Sequence, residues 1–479
     1  MRTAGGRVPF RTLSSEWGSA RRGSQQRIRC RPIRGIRPDE PSARAEVDSM
    51  RVALLPAGTR GDHQPYLALA DEFRARGHDV EITATRNQAH IVRNAGFEPH
   101  VIPFDAAELL ETPAARQALA SGRTLPFIRI MLDTVKIIEG GRGVAMHEVL
   151  AKACAGADVV VACASTLPWA MEFREKTGTP VIGCLPYPLE RTGEFPSSFM
   201  AKNMTSSRIL SRATYSLFEL SYTFLYRKVD RQLRQQMGLP GKPRNPFRRL
   251  RDERIPLVHM VSPVLLPKPH DWPERATVVG APILPQRLRD AWGEAVIDPE
   301  LDAWLDEGEP PIYFCMTGMP VVDPVECHRM IATVCARLGA RALVTVKGEG
   351  FPKGFSADRA VLVIDSFDYD RVLPRCRAVV HHGGSGNTHD VVRAGIPAVV
   401  IPVHSDQFFY GWRIAALGIG ATFPYRRITP DRLYQALARA LTPQARQRAE
   451  EIGRTAAAEN GVLAAVDAVE KLATATTRP

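Results

Sequence analysis

From Met50 onward the chain alternates short apolar runs with longer stretches whose apolar residues recur at helical spacing, and it does so twice. RVALLPAG (51–58), DVEITAT (79–85), EPHVIPF (98–104), DVVVAC (158–163) and TPVIGCLP (179–186) read as strands. PYLALADEFRARGHD (65–79) reads as the first intervening helix, starting near Pro65. Such strand–helix alternation implies a parallel sheet with helices on both faces.

The rhythm breaks between 187 and 256. SRILSRATYSLFELSYTFLYRKVDRQLRQQMG (207–238) reads as one or two helices, and the Pro-rich PVLLPKPHDWP (263–273) and GAPILP (280–285) suit a stiff linker. Alternation restarts at PPIYFCMTGMP (310–320). It continues through ALVTVKG (342–348), AVLVIDSF (360–367), RAVVHHGG (377–384), PAVVIPV (397–403) and GATF (420–423), with closing helices at 427–442 and from 443 to about 473. The expected architecture is α/β, with two doubly wound parallel-sheet, Rossmann-like domains facing across a cleft. The first domain is expected over 50–265, a linker over 266–300 and the second domain over 301–455. Residues 456–479 form a terminal helix, expected to pack back on the first domain, and a tail. Ligands of such folds bind outside the carboxyl ends of strands, so the cleft is the natural site.

Composition narrows the function classes. At 44% hydrophobic and 24% charged residues the chain is an ordinary globular one, and 479 residues suffice for two full cores. Its net charge of +12 is shared unevenly by length: residues 1–49 hold eleven Arg, no Lys and five acids, and the rest hold 52 basic and 46 acidic groups. So mild an excess after residue 49 lacks the dense basic stripe of a nucleic-acid binder, and no nucleic-acid partner is expected. Residues 1–49 read as a disordered Arg-rich extension or a mis-assigned start, since Met50 opens a clean strand. No apolar run reaches the roughly 18 residues of a membrane span. The eight cysteines form no CxxC pair and no zinc-ligand spacing with His, and most lie in apolar runs, which points to a reducing, cytoplasmic setting.

The densest chemical signal is AVVHHGGSGNTHDVVRAGIP (378–397). A strand ends at His381-His382, a Gly-rich turn follows, and a helix starts near Asn387. A helix N-terminus presents unbonded N–H groups and a partial positive charge. Gly383, Gly384 and Gly386 let the backbone approach an anion because no Cβ intervenes. His382 can donate to an anionic oxygen, the more so when protonated. Asp390 reads, on the residues alone, as a first-turn acid complementing the helix dipole. In IPVHSDQ, Asp406 and Gln407 pair an acceptor with an amide, which suits vicinal hydroxyls; a surface loop is the plainer alternative.

This pattern resembles the donor site of the family 1 UDP-glycosyltransferases of GT-B fold, above all bacterial antibiotic and glycopeptidolipid glycosyltransferases and sterol glucosyltransferases. The resemblance spans nearly the whole chain after Met50. It implies that His382 contacts the diphosphate of a nucleoside-diphosphate sugar and that Gly383, Gly384, Ser385, Gly386 and Asn387 surround it with backbone donors. It also implies that Asp390 binds the ribose and that Asp406 and Gln407 hydrogen-bond the donor sugar. There are two departures. Thr317-Gly318 stands where the family usually has Gly-Ser, so either Thr317 takes over the phosphate contact or that contact is weaker. The aromatic that stacks on the donor base is not plainly placed, and Phe367 is the candidate.

In the first domain, PAGTRGDHQPYLALA resembles the family's GSRGDxxP loop. The register set by Pro65 puts Asp62 on the position of the catalytic base, with His63 one residue later as an alternative base or helper. An acceptor hydroxyl attacking an anomeric carbon must lose its proton, and a carboxylate within reach can take it. The competing readings make Asp62 a cap for the helix beginning near Pro65 and His63 a loop histidine. The implied reaction is an in-line displacement with inversion, its leaving group stabilised by His382, the helix N-terminus and Thr317. No DxD-like motif sits at a suitable strand end. The resemblance likewise implies no metal requirement and no tightly bound cofactor beyond the sugar nucleotide as co-substrate.

On the acceptor side stand 185–204 and the aromatic-rich 207–226, flanked by Arg208, Arg212, Arg227 and Lys228. They read as a hydrophobic acceptor pocket, as a helix in transient contact with a membrane surface, or as core packing. Glu172 and Arg174 read as a solvated helix face. The expected protein is an inverting hexosyltransferase moving a hexose from a UDP- or dTDP-sugar to a hydroxyl of a lipophilic or polycyclic acceptor (natural product, glycolipid or sterol-like). It is expected as a monomer or weak dimer, cytoplasmic or peripheral to the inner face of the membrane. The alternatives are a catalytically inactive sugar-nucleotide-binding protein and a GT-B-fold epimerase.

Overall fold

The computed structural model describes residues 48–103, 112–122, 132–133, 135–136, 138–200, 207–291, 298–346 and 350–477. The expected Arg-rich extension lies outside these residues, apart from Asp48 and Ser49. Two seven-stranded sheets form the frame. The first contains β1 (Arg51–Leu55), β2 (Asp79–Thr85), β3 (His100–Ile102), β4 (Val159–Ala162), β5 (Val181–Leu185), β6 (Leu257–His259) and β7 (Ala276–Val278), in the order β3-β2-β1-β4-β5-β6-β7, all parallel. The second contains β8 (Ile312–Cys315), β9 (Ala342–Thr345), β10 (Gly354–Phe355), β11 (Val361–Ile364), β12 (Ala378–His381), β13 (Ala398–Val400) and β14 (Gly420–Thr422). Its order is β10-β11-β9-β8-β12-β13-β14, parallel except for the short β10, which runs against β11. The chain turns back between β1 and β4 in one sheet and between β8 and β12 in the other. Each reversal opens a crevice at the carboxyl ends of those strands.

The central strands are apolar without alternation because helices cover both of their faces: Val52, Ala53, Leu54 and Leu55 are fully buried, as are Ile312 and Phe314. Several elements differ from the sequence reading. The first helix runs Arg60–Ala75, and Pro65 lies inside it rather than at its start. Residues 208–237 form one helix of 30 residues, opened by Ser207, whose side chain accepts from Leu210 N, and closed by Gly238 in the left-handed region. Its inward side packs aromatic on aromatic, Phe218 on Phe199 and Phe247 at 5.0 and 4.9 Å, and Tyr222 edge-on to Phe247 at 5.1 Å.

Part of the stretch read as a stiff linker is built into the two halves. β7 closes the first sheet from within it, and Val261, Leu265, Leu266 and Trp272, at most 6% exposed, pack into the core of the second half. Phe195 enters the same core and lies 5.3 Å from Phe409. In return, the last helix, Gly461–Thr477, crosses to the first half, where Asp467 and Glu470 bind Arg76 at 2.6 and 2.8 Å and Glu470 binds His78 at 2.9 Å. Glu172 is not on a solvated face. It is 5% exposed and paired with Arg234 and, at 3.0 Å, with Arg249, because an unpaired carboxylate there would be costly. Among the described residues no helix is long and apolar enough to cross a membrane.

Candidate active site

On the first-half lip, β1 gives way to Pro56–Thr59 and then to helix Arg60–Ala75. Gly58 sits at φ +146°, and a Cβ there would lie 2.2 Å from Asp62 Oδ2, so the Asp62 side chain folds over a bare glycine. Asp62 Oδ2 accepts from Thr59 N at 2.7 Å and from Thr59 Oγ1 at 3.1 Å. Both bonds fall on one oxygen. Asp62 thus closes the first helical turn from the third helical position, the acid's place in a capping box, rather than acting as a cap itself. Burial lifts its carboxyl above the usual range while the two Thr59 bonds pull the other way.

His63 is 1% exposed and held at both ring nitrogens: Nδ1 lies 2.9 Å from Thr59 O, and Nε2 accepts from Thr85 N at 3.2 Å. With Nε2 as acceptor, Nδ1 carries the proton, and the ring braces the first helical turn against the end of β2. The helper expected at His63 is therefore a strut.

On the opposite lip, β12 leads into Gly383 at φ +92° and helix Ser385–Arg393, with Gly384 as its N-cap. A Cβ on Gly383 would meet Val400 at 2.7 Å, and one on Gly384 would meet His382 Nε2 at 2.6 Å. Gly318, at φ +83° just after β8, approaches the other side of the His382 ring, where a Cβ would lie 2.8 Å from Cε1. His382 is thus slotted between two glycines, and its buried Nδ1 has no hydrogen-bond partner among the described residues. Burial and then His404 lower it to about 4, against an opposing pull from the Thr317 backbone, so the ring is neutral at pH 7 rather than protonated. Thr317 is exposed beside it.

The first-turn amides of helix Ser385–Arg393 point out of its N-terminus without intrahelical acceptors. Asn387 Nδ2 donates to Cys315 Sγ at 3.2 Å, tying this turn to the end of β8. Asp390 stands one turn further, 3.8 Å from Arg393. Its charge and that of Arg60, from the other half, both reach the Tyr369 hydroxyl.

After β13 the loop bends through Ser405 at φ +52°, a conformation few side chains adopt, and delivers Asp406 as the N-cap of helix Gln407–Ala416. Burial, and then the charge of Asp62, push Asp406 up to about 7. Gln407 is 6% exposed, and its side-chain oxygen accepts from Val403 N at 2.8 Å and His404 N at 3.2 Å, which fixes this loop. Phe367 is 1% exposed, edge-on to Tyr313 at 4.8 Å and stacked on Tyr369 at 5.0 Å. A ring so enclosed has no face for a base, and the expectation placed on Phe367 is corrected to a core role.

Two tyrosines escaped the sequence reading. Burial, and then the charges of Asp62 and Asp406, push the Tyr187 phenol well above its ordinary range. The fully buried Tyr410 bonds Pro186 O in the first half and, at 2.9 Å, Ser385 Oγ in the second. Neither sits in a motif, and only the meeting of the halves reveals them.

Residues 52–172 match the glycosyltransferase family 28 N-terminal domain, and residues 332–472 match the erythromycin biosynthesis protein CIII-like, C-terminal domain. O-mycaminosyltylonolide 6-deoxyallosyltransferase of Streptomyces fradiae is 33% identical over 433 residues, 88% of this chain and 98% of its own length. Sterol 3-beta-glucosyltransferase UGT80B1 of Arabidopsis thaliana is 27% identical over 430 residues, 89% of this chain and 68% of its own. Among solved structures, the kitacinnamycin glycosyltransferase superposes with a TM-score of 0.64 at 21% identity, covering 89% of this chain and 99% of that one. Glycosyltransferase VinC in complex with DTDP superposes with a TM-score of 0.58 at 18% identity, covering 89% and 100%. The chain belongs to this family of GT-B-fold glycosyltransferases, and its activity is that of a hexosyltransferase.

Proposed function

We propose that the protein transfers a hexose, with inversion, from a UDP- or dTDP-sugar to a hydroxyl of a lipophilic or polycyclic acceptor. The observation that carries this reading is the glycine-lined turn of Gly318, Gly383 and Gly384, which slots His382 beside the N-terminus of helix Ser385–Arg393 and leaves its buried Nδ1 without a hydrogen-bond partner among the described residues. Asp62 takes the acceptor proton as the acceptor oxygen bonds to the anomeric carbon, and burial suits it to that task by raising its basicity. The bond to the diphosphate breaks on the opposite face. The electron pair leaves on a phosphate oxygen that His382, Thr317 and the first-turn amides of Ser385, Gly386 and Asn387 would stabilise. Asp390 would hold the ribose. Asp406, its carboxyl raised by burial, would bond the sugar hydroxyls, and Gln407, whose oxygen holds the loop, would offer its amide to the same sugar.

The dTDP option is supported by the DTDP complex of VinC, and the lipophilic or polycyclic acceptor by the names of the Streptomyces and Arabidopsis relatives. Incubating the protein with UDP- and dTDP-hexoses and a panel of hydrophobic alcohols tests the reading. A glycoside of inverted anomeric configuration and one nucleoside diphosphate per transfer are expected. Donor binding with neither transfer nor hydrolysis would favour an inactive sugar-nucleotide-binding protein instead.

A further inference from the structure

Helix Arg208–Met237 turns its aromatic side inward, yet its outward side is also apolar. Ile209, Leu210, Leu217, Leu220 and Phe224 are each more than half exposed, Phe224 reaching 83%. Their three- and four-residue steps, filled in at Ala213, put them in one stripe along four turns. The same line continues into Arg227, Lys228 and Arg231, all exposed. The helix's two acids lie off it: Glu219 is bound to Arg251 at 2.7 Å, and Asp230 is half-buried. Beside the first turns, a cleft of about 850 Å³ adds Arg191 and Arg254. Of its acids, Glu190 is bound to Arg275 at 2.8 Å and Asp271 to Arg212 at 2.9 Å, and Glu274 is the third.

We propose that this face seats the protein on an anionic phospholipid bilayer, the apolar stripe entering the headgroup–acyl boundary and the flanking cations meeting lipid phosphates. Five bulky apolar side chains on one open helix face are a cost in water and a gain at that boundary. A second copy of the chain fits less well. Pairing two such faces sets the cations either against the partner's apolar stripe or against each other, with no acid on the stripe to meet them. The inference is independent of which acceptor the cleft takes.

Co-sedimentation of the full chain with vesicles of phosphatidylcholine, with and without phosphatidylglycerol, tests it. Binding to the anionic vesicles is expected at least about tenfold tighter, and salt-sensitive. The combined Leu217→Ser, Leu220→Ser and Phe224→Ser variant should lose about 100-fold of that binding. Arg227→Gln with Lys228→Gln and Arg231→Gln should erase the preference for anionic lipid. Both variants should keep the wild-type melting temperature and nucleotide binding, which separates lost docking from lost folding. A wild-type chain that ignores both vesicle types would overturn the proposal, as would serine variants that bind like wild type. A wild-type dimer in solution that the serine substitutions dissociate would instead assign the stripe to self-association.

Discussion

The loops on the two lips of the cleft are the same device, differently loaded. Gly58-Thr59-Arg60-Gly61-Asp62 follows β1, and Gly383-Gly384-Ser385-Gly386-Asn387 follows β12. Each has a positive-φ glycine, then an N-cap, then a glycine at the second helical position. Each helix also carries a histidine whose Nδ1 faces the carbonyl four residues back and whose Nε2 accepts an amide: His63 from Thr85 N, and His389 from Ser262 N at 3.1 Å. The third helical position is where they part. Asp62 turns its own carboxylate onto the Thr59 amide, whereas Asn387, its neutral counterpart, turns away to Cys315. One helix end is filled by an internal carboxylate, the proposed base, and the other carries no such carboxylate and is the proposed place of the donor diphosphate.

The comparison can be broken first at Asp62. Asp62→Asn makes the first loop resemble the second, and transfer should fall about 10²- to 10⁴-fold while donor affinity stays within a few-fold; steady-state kinetics retaining wild-type kcat would remove Asp62 as the base. The reciprocal Asn387→Asp places a carboxylate where the diphosphate is proposed to bind. Calorimetry should show nucleoside diphosphate affinity reduced roughly tenfold to 100-fold, and an unaltered Kd would move the anion elsewhere. Gly384→Ala drives a methyl group to 2.6 Å from His382 Nε2. The ring must shift, and nucleotide binding should weaken about tenfold with kcat at saturating donor less affected.

The smallest effect sharpens rather than breaks. Thr59 Oγ1 bonds the ionised form of Asp62, so Thr59→Val should raise the Asp62 pKa further, while Thr59→Ser should restore it. A base must be ionised, so activity is present above its pKa and lost as pH falls through it. The acid limb of kcat/KM should therefore move to higher pH by about one unit in the valine variant alone. An acid limb that stays in place in both variants would show that another group sets it.

The sheets and the anion turn were legible because their signals are local. β1, β4, β8 and β12 are unbroken apolar runs, and the glycines of 383–386 stand next to the helix they open. Misreadings came wherever distant chain supplies the partner. Glu172 looked solvated because Arg234 and Arg249 come from helices more than 60 residues further on. His63 looked uncommitted because Thr85 N belongs to the next strand. Phe367 looked available because the rings enclosing it, Tyr313 above all, arrive from another strand. β6 and β7 were missed because three residues are too few to show a period, and prolines surround them. Asp62 was singled out through its loop, but its place at the third helical position was hidden by Pro65, which mimics a helix start.

The excursion of residues 261–272 into the second core, answered by the last helix on the first half, has a consequence for how the molecule melts. Cut at the boundaries its sequence suggests, neither piece would own its whole interior: the second would lack Leu265, Leu266 and Trp272, and the first would lack Val466 and Val469. Halves that lend each other buried side chains cannot unfold in turn. Heat should therefore take the chain apart in one cooperative transition, unlike two beads on a string.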